Sequence, residues 1–164
     1  MQSLLPTLDK DRNTKALQML LSKKKFREAV ALVNEHEVLD AHIAVMFARA
    51  GDPDSALQIA QMFRKFRYVY EEQVPIAFAA VSASMARTGR LEEALQIYDI
   101  AVREAIFASE DEKTRDRVQF ALVESLVAQH RLHDAQKAAD DIETDEYQWA
   151  AYFAILGDIA MRQS

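Results

Sequence analysis

The chain contains no cysteine. That absence excludes a disulfide framework and thiolate metal sites, and it fits a cytoplasmic home. Glycine and proline occur only three times each in 164 residues. Such sparse punctuation suits helices joined by short turns rather than a sheet protein, and no period-two strand pattern is present. No apolar run reaches the roughly 20 residues of a membrane span. The start, "MQSLLPTLDKDRNTK", lacks the basic-then-apolar layout of a signal peptide. Acidic residues outnumber basic ones, 26 to 20, for a net charge of -6. That balance argues against nucleic acid or an anionic membrane as the main partner. There is no phosphate-cradling glycine loop, no Gly-x-Ser-x-Gly and no His-Glu-x-x-His. A non-catalytic protein without a cofactor or bound metal is therefore expected.

What the sequence does contain is a repeat. "ARAGDPDSALQIA" (48–60) returns 38 residues later as "ARTGRLEEALQIY" (86–98), with seven of thirteen positions identical. Around the second copy, Phe78, Val81, Ser82 and Met85 share one helical face. Gly89 follows where a helix needs a left-handed terminating residue. Leu91, Ala94, Leu95, Tyr98, Ala101 and Val102 then predict the buried face of a returning helix, with Glu92 and Glu93 at its positive end. In the first copy Gly51 ends a helix, Asp52 is a predicted N-cap, and Pro53 suits the first helical position. Ala56 and Ala94 are expected where paired helices cross.

Fainter copies flank these two. "LLSKKKFREAVALV" puts Phe26 and Ala29 in the places of Leu91 and Ala94, and "LVAQHRLHDAQKAADDI" puts Leu132 and Ala135 there. A partial copy follows at a period of 34, relating Leu122 to Leu156, Val123 to Gly157 and Leu126 to Ala160. The "SEDE" segment predicts a capping box from Ser109 to Glu112, opening a helix over about 110–129 whose run "EDEKTRDR" is expected to be a solvated, mixed-charge face. One hairpin cannot bury its apolar face alone, so stacking explains the duplication without any chemistry.

Phe78-x2-Val81-Ser82-x2-Met85 with Ala94-x3-Tyr98 resembles the tetratricopeptide pattern, and Phe153-x2-Leu156-Gly157-x2-Ala160 is similar to its first half. The resemblance implies an all-α, right-handed α-α superhelix, a solenoid of about four and a half helix-turn-helix repeats. One domain over 1–164 is expected, with repeats near 10–36, 37–70, 74–108 and 110–146 and a partial repeat at 147–164. The resemblance further implies that the first helix of each repeat lines a concave groove. Mapped onto this chain, that helix offers His42, Val45 and Arg49, then Ala79, Ala83 and Arg87, then Phe120 and Glu124, then Asp158 and Arg162. Arg49, Arg87 and Arg162 hold equivalent places, a ladder suited to carboxylates of an acidic peptide. The plainer alternative is that each arginine answers the negative end of its helix.

Other constellations have bland readings. His130, His133 and Asp134 straddle a turn and fall short of a tetrahedral ligand set. His36 and His42 flank a short turn in "NEHEVLDAH", and the sequence around them carries no recognisable nucleophile–acid motif. "FRKFRYVY" (63–70) and "KKKFR" (23–27) mix aromatics and cations, which is the basis for a nucleic-acid-binding alternative; the plainer reading packs the aromatics between repeats. The last segment, "QWAAYFAILGDIAMRQS", is apolar on several faces, whereas a terminal solenoid helix normally has a polar outer face. The first expectation is that it continues into a longer protein; the alternative is self-association through this helix. The expected function is that of a scaffold or adaptor holding a protein or peptide partner, acidic if the arginines bind it.

Overall fold

The computed structural model describes residues 5–35, 41–65, 71–106 and 112–163. Among these residues all regular structure is helical: α1 (Leu5–Ser22), α2 (Phe26–Glu35), α3 (His42–Ala50), α4 (Pro53–Arg64), α5 (Gln73–Arg87), α6 (Leu91–Ala105), α7 (Glu112–Ala128), α8 (Leu132–Asp140) and α9 (Asp145–Gln163). None of them is long and apolar enough to cross a membrane. Ser109 of the expected capping box lies outside the described residues, as do His36 and residues 66–70.

Four turns pair the helices α1–α2, α3–α4, α5–α6 and α7–α8, and the same hydrogen bonds close each one. The N–H of the residue just after the left-handed one donates to the carbonyl five positions back: Lys25 to Leu20, Asp52 to Phe47, Arg90 to Met85 and Arg131 to Leu126, at 2.9–3.0 Å. This is the six-to-one bond of a Schellman turn. It requires a positive φ one residue earlier, found at Lys24 (54°), Gly51 (92°), Gly89 (82°) and His130 (61°). Glycine fills that position in the two clear repeats, while lysine and histidine fill it in the faint ones. The backbone unit therefore recurs where the side-chain pattern has faded. At Asp52 the side chain also caps α4, accepting from the Ser55 N–H at 3.2 Å.

Five residues beyond each left-handed position stands an alanine, Ala29, Ala56, Ala94 or Ala135, and all four are 0% exposed. A small side chain there lets the paired helices approach; the Ser82 hydroxyl of α5 donates to the Ala94 carbonyl of α6 at 2.6 Å. The odd-numbered helices pack in succession, α1 on α3, α3 on α5, α5 on α7 and α7 on α9. Helices α4, α6 and α8 each touch their hairpin partner and the next odd helix. Helix α5 sits in the middle, and eleven of its fifteen residues are buried. The main core runs from Leu17 of α1 to Leu122 of α7. A second cluster joins Val123 and Leu126 of α7 to Ala135 and Ala139 of α8 and Ile155 of α9.

Two expectations are corrected. The buried face of α6 is Ala94, Ile97, Ala101 and Glu104, whereas Leu91, Leu95 and Val102 are exposed. The close approach at Ala94 fixes which arc of α6 faces α5, and the leucine row is turned off that arc. Glu104, buried on this face, receives the Arg64 guanidinium of α4 at 2.7 Å. The run "EDEKTRDR" is not wholly solvated either. Asp116 within it is buried and accepts the Thr144 N–H at 2.7 Å and the Glu143 N–H at 3.4 Å, which ties α7 to the start of α9.

Candidate functional site

The outer surface of the odd-numbered helices carries a concavity of about 100 Å³. Its lining comes from three successive first helices: Val45 and Arg49 of α3, Ile76, Ala79, Ala80, Ala83 and Arg87 of α5, and Ala121 and Glu124 of α7. Small side chains make the hollow, because three alanines of α5 face it where larger residues would fill it. A second concavity of about 240 Å³ adjoins it through Val45 and Ile76, and adds His42, Glu72, Gln73 and Arg117. Arg117 is committed there, with Nη1 at 3.1 Å from both Glu72 oxygens.

Seven of the ten residues anticipated for the groove thus line these two hollows: His42, Val45, Arg49, Ala79, Ala83, Arg87 and Glu124. The other three lie elsewhere. Phe120 packs toward the second core, its ring 6.1 Å from that of Tyr147. Asp158 is nearly buried and sits between His130 Nδ1 at 3.3 Å and Arg162 Nε at 2.9 Å. Arg162 is therefore an ion-pair partner within α9, and the ladder has two rungs rather than three.

Those two rungs differ from six other arginines among the described residues. Arg64, Arg90, Arg115, Arg117, Arg131 and Arg162 all hold carboxylates. Arg49 and Arg87 are exposed and make no ion pair or hydrogen bond among the described residues. Each stands in the last turn of its helix, where a cation is favoured by roughly 0.3–1 kcal/mol. The end-of-helix position explains their tolerance; it leaves their five donors each available to a ligand. Glu124 is the acidic member of the lining and confers polarity on the hollow: two guanidinium groups on one side, one carboxylate from α7.

The remaining sequence candidates resolve differently. His130 occupies a hairpin turn, and His133 is exposed on α8. No group of three or more His, Cys, Asp or Glu suited to a metal ion occurs among the described residues. In the aromatic-basic stretch 63–70, Phe63 is a core residue and Arg64 is held by Glu104. Sequence reasoning missed Ile76 and Ala80 as lining residues. Their signal was present, since they lie three residues before Ala79 and Ala83 on the same helical face. No protein-family model, curated protein or solved structure matches the chain.

Proposed function

We propose that this protein is a non-catalytic scaffold whose hairpins stack as a right-handed tetratricopeptide-like solenoid in the cytoplasm, and that it binds a carboxylate-bearing peptide or protein segment across α3 and α5. The single observation that carries this reading is the pair Arg49 and Arg87, two uncommitted guanidinium groups at equivalent places of successive hairpins, beside an alanine-floored hollow. Three further facts support it. The hairpin turn recurs four times with one hydrogen-bond pattern, the odd helices pack in succession, and the hollow draws its walls from three of them. A guanidinium takes a carboxylate in a bidentate fork, and two forks in series favour an extended acidic segment over an isolated carboxylate.

A labelled glutamate-rich peptide titrated at low salt tests the reading by fluorescence anisotropy. The wild type binds it, and an Arg49→Glu, Arg87→Glu double variant with an unchanged melting midpoint loses about 10-fold or more, the equivalent of roughly 1.4 kcal/mol. Equal binding by both proteins removes the groove from the account. Binding of a single-stranded oligonucleotide in preference to the peptide, weakening steeply with salt, places the protein among nucleic-acid binders instead.

A further inference from the structure

Helix α9 repeats the first helix of a hairpin but has no returning helix laid on it among the described residues. In α7 the residues that meet the returning helix are buried: Val123 is 0% exposed and Leu126 1%, packed with Ala135 and Ala139 of α8. Their counterparts at a period of 34 are Gly157 and Ala160, and both are exposed. Around them Phe153 is 69% exposed, Trp149 62% and Leu156 59%. The opposite side of α9 is already in use, with Ala151, Ile155 and Asp158 buried against the body. With aromatic rings offering about 150–250 Å² each, the open side presents on the order of 500 Å² of apolar surface, near the upper end for a monomer.

We propose that α9 pairs antiparallel with α9 of a second copy, about a two-fold axis between Phe153 and Leu156. The order of side chains carries this occupant. Trp149, Phe153, Leu156 and Ala160 follow a four-three-four spacing, the seam of a coiled coil. In an antiparallel pair centred on this seam, Phe153 meets Leu156 of the second copy and Trp149 meets its Ala160. The largest ring therefore faces the smallest side chain at each end, and Phe153 packs on Leu156 at the centre. A two-fold axis makes both halves of the contact identical and closes the assembly at a dimer. The same register sets the acidic first turn, Asp145 and Glu146, beside the last turn of the second copy, which carries Arg162. The second helix thus runs in the direction that α8 takes against α7. The two patches together bury on the order of 1,000 Å², the lower edge of a specific interface. The dimer is accordingly concentration-dependent and reversible.

Trp149 is the only tryptophan of the chain, so its emission reports on this contact directly. Sedimentation and Trp149 emission are followed together over about three decades of concentration, from micromolar upward. The expected result is a monomer passing to a dimer, with a blue shift of emission over the same range. Phe153→Asp changes an exposed residue, leaves the circular-dichroism melt in place, and weakens association by about 30-fold or more. The register is tested by cross-linking, which a cysteine-free chain permits cleanly. Chains carrying Glu146→Cys and chains carrying Gln163→Cys form a disulfide when mixed, and neither does alone. A monomer at every concentration overturns the proposal, as does a dimer that Phe153→Asp leaves intact. Ready cross-linking of Glu146→Cys chains with one another overturns the antiparallel register.

Discussion

Gly89 and Gly157 sit in opposite backbone states, and the same substitution is predicted to move stability in opposite directions. Gly89 closes the α5–α6 turn at φ 82°, while Gly157 lies inside α9. A Cβ built at either position meets nothing within 4 Å, so packing enters neither case. At Gly89 alanine places a Cβ in the left-handed region, at a cost of about 1–2 kcal/mol. A stiffer unfolded chain returns about 0.4–1 kcal/mol of that. The net loss is about 0.5–1 kcal/mol. At Gly157 alanine gains about 0.8–1 kcal/mol of helix propensity with no opposing term. For a chain of this size each kcal/mol shifts the midpoint by roughly 2–4 °C. Thermal and urea unfolding of Gly89→Ala and Gly157→Ala, at micromolar concentration so that self-association does not contribute, give the two signs. A neutral or stabilising Gly89→Ala refutes the left-handed turn. A destabilising Gly157→Ala refutes the open helical setting of α9. The converse follows for the faint repeats: Lys24→Gly relieves a lysine held at φ 54° and is predicted to stabilise by about 0.5–1 kcal/mol.

Other substitutions probe other parts of the account. Ala94→Leu forces side-chain volume into the crossing of α5 and α6, where Ala94 is fully buried; a loss of about 1–3 kcal/mol is expected in urea unfolding. Asp116 links pH to stability. Burial, the largest influence, pushes its pKa up, but the hydrogen bonds from Thr144 and Glu143 and the charge of Arg115 together outweigh it, and the carboxyl is held below its ordinary 3.8. Its folded-state pKa is thus depressed, so its contribution is full above the unfolded value and is lost as pH falls through the lower folded one. Asp116→Asn is predicted to flatten the acid limb of a stability–pH profile below about pH 4, and to cost roughly 1–3 kcal/mol at neutral pH through the weakened acceptor. An unchanged acid limb would show that another group governs it.

The parts legible in the sequence are those fixed by local backbone rules. Gly51 and Gly89 announced left-handed helix ends, Asp52 and Pro53 announced a helix start, and the structure has all four in those roles. The alanines at 29, 56, 94 and 135 were readable because close helix crossings exclude larger side chains. Seven of the ten groove candidates line the two hollows for a related reason, since equivalent positions of repeated helices face the same way. What escaped depends on partners distant in sequence. Asp116 looked like one charge in a solvated run, and only its bond to Thr144, 28 residues on, makes it a buried tie. Glu104 is buried for Arg64, 40 residues earlier. The Ser82, Ser125 and Gln129 network, with bonds of 2.9–3.1 Å linking α5 to the end of α7, has no local signature at all. On α6 the expected Ala94 and Ala101 are buried, but Leu91, Leu95 and Val102 are not, because the close crossing at Ala94 turns the leucine row away from α5.

Backbone-amide shifts during titration with the glutamate-rich peptide test the central claim most directly. The account predicts that the largest changes fall on Val45, Arg49, Ala83 and Arg87, and that added salt or the Arg49→Glu, Arg87→Glu pair removes them. Changes confined to α9, or to no part of α3 and α5, would contradict it.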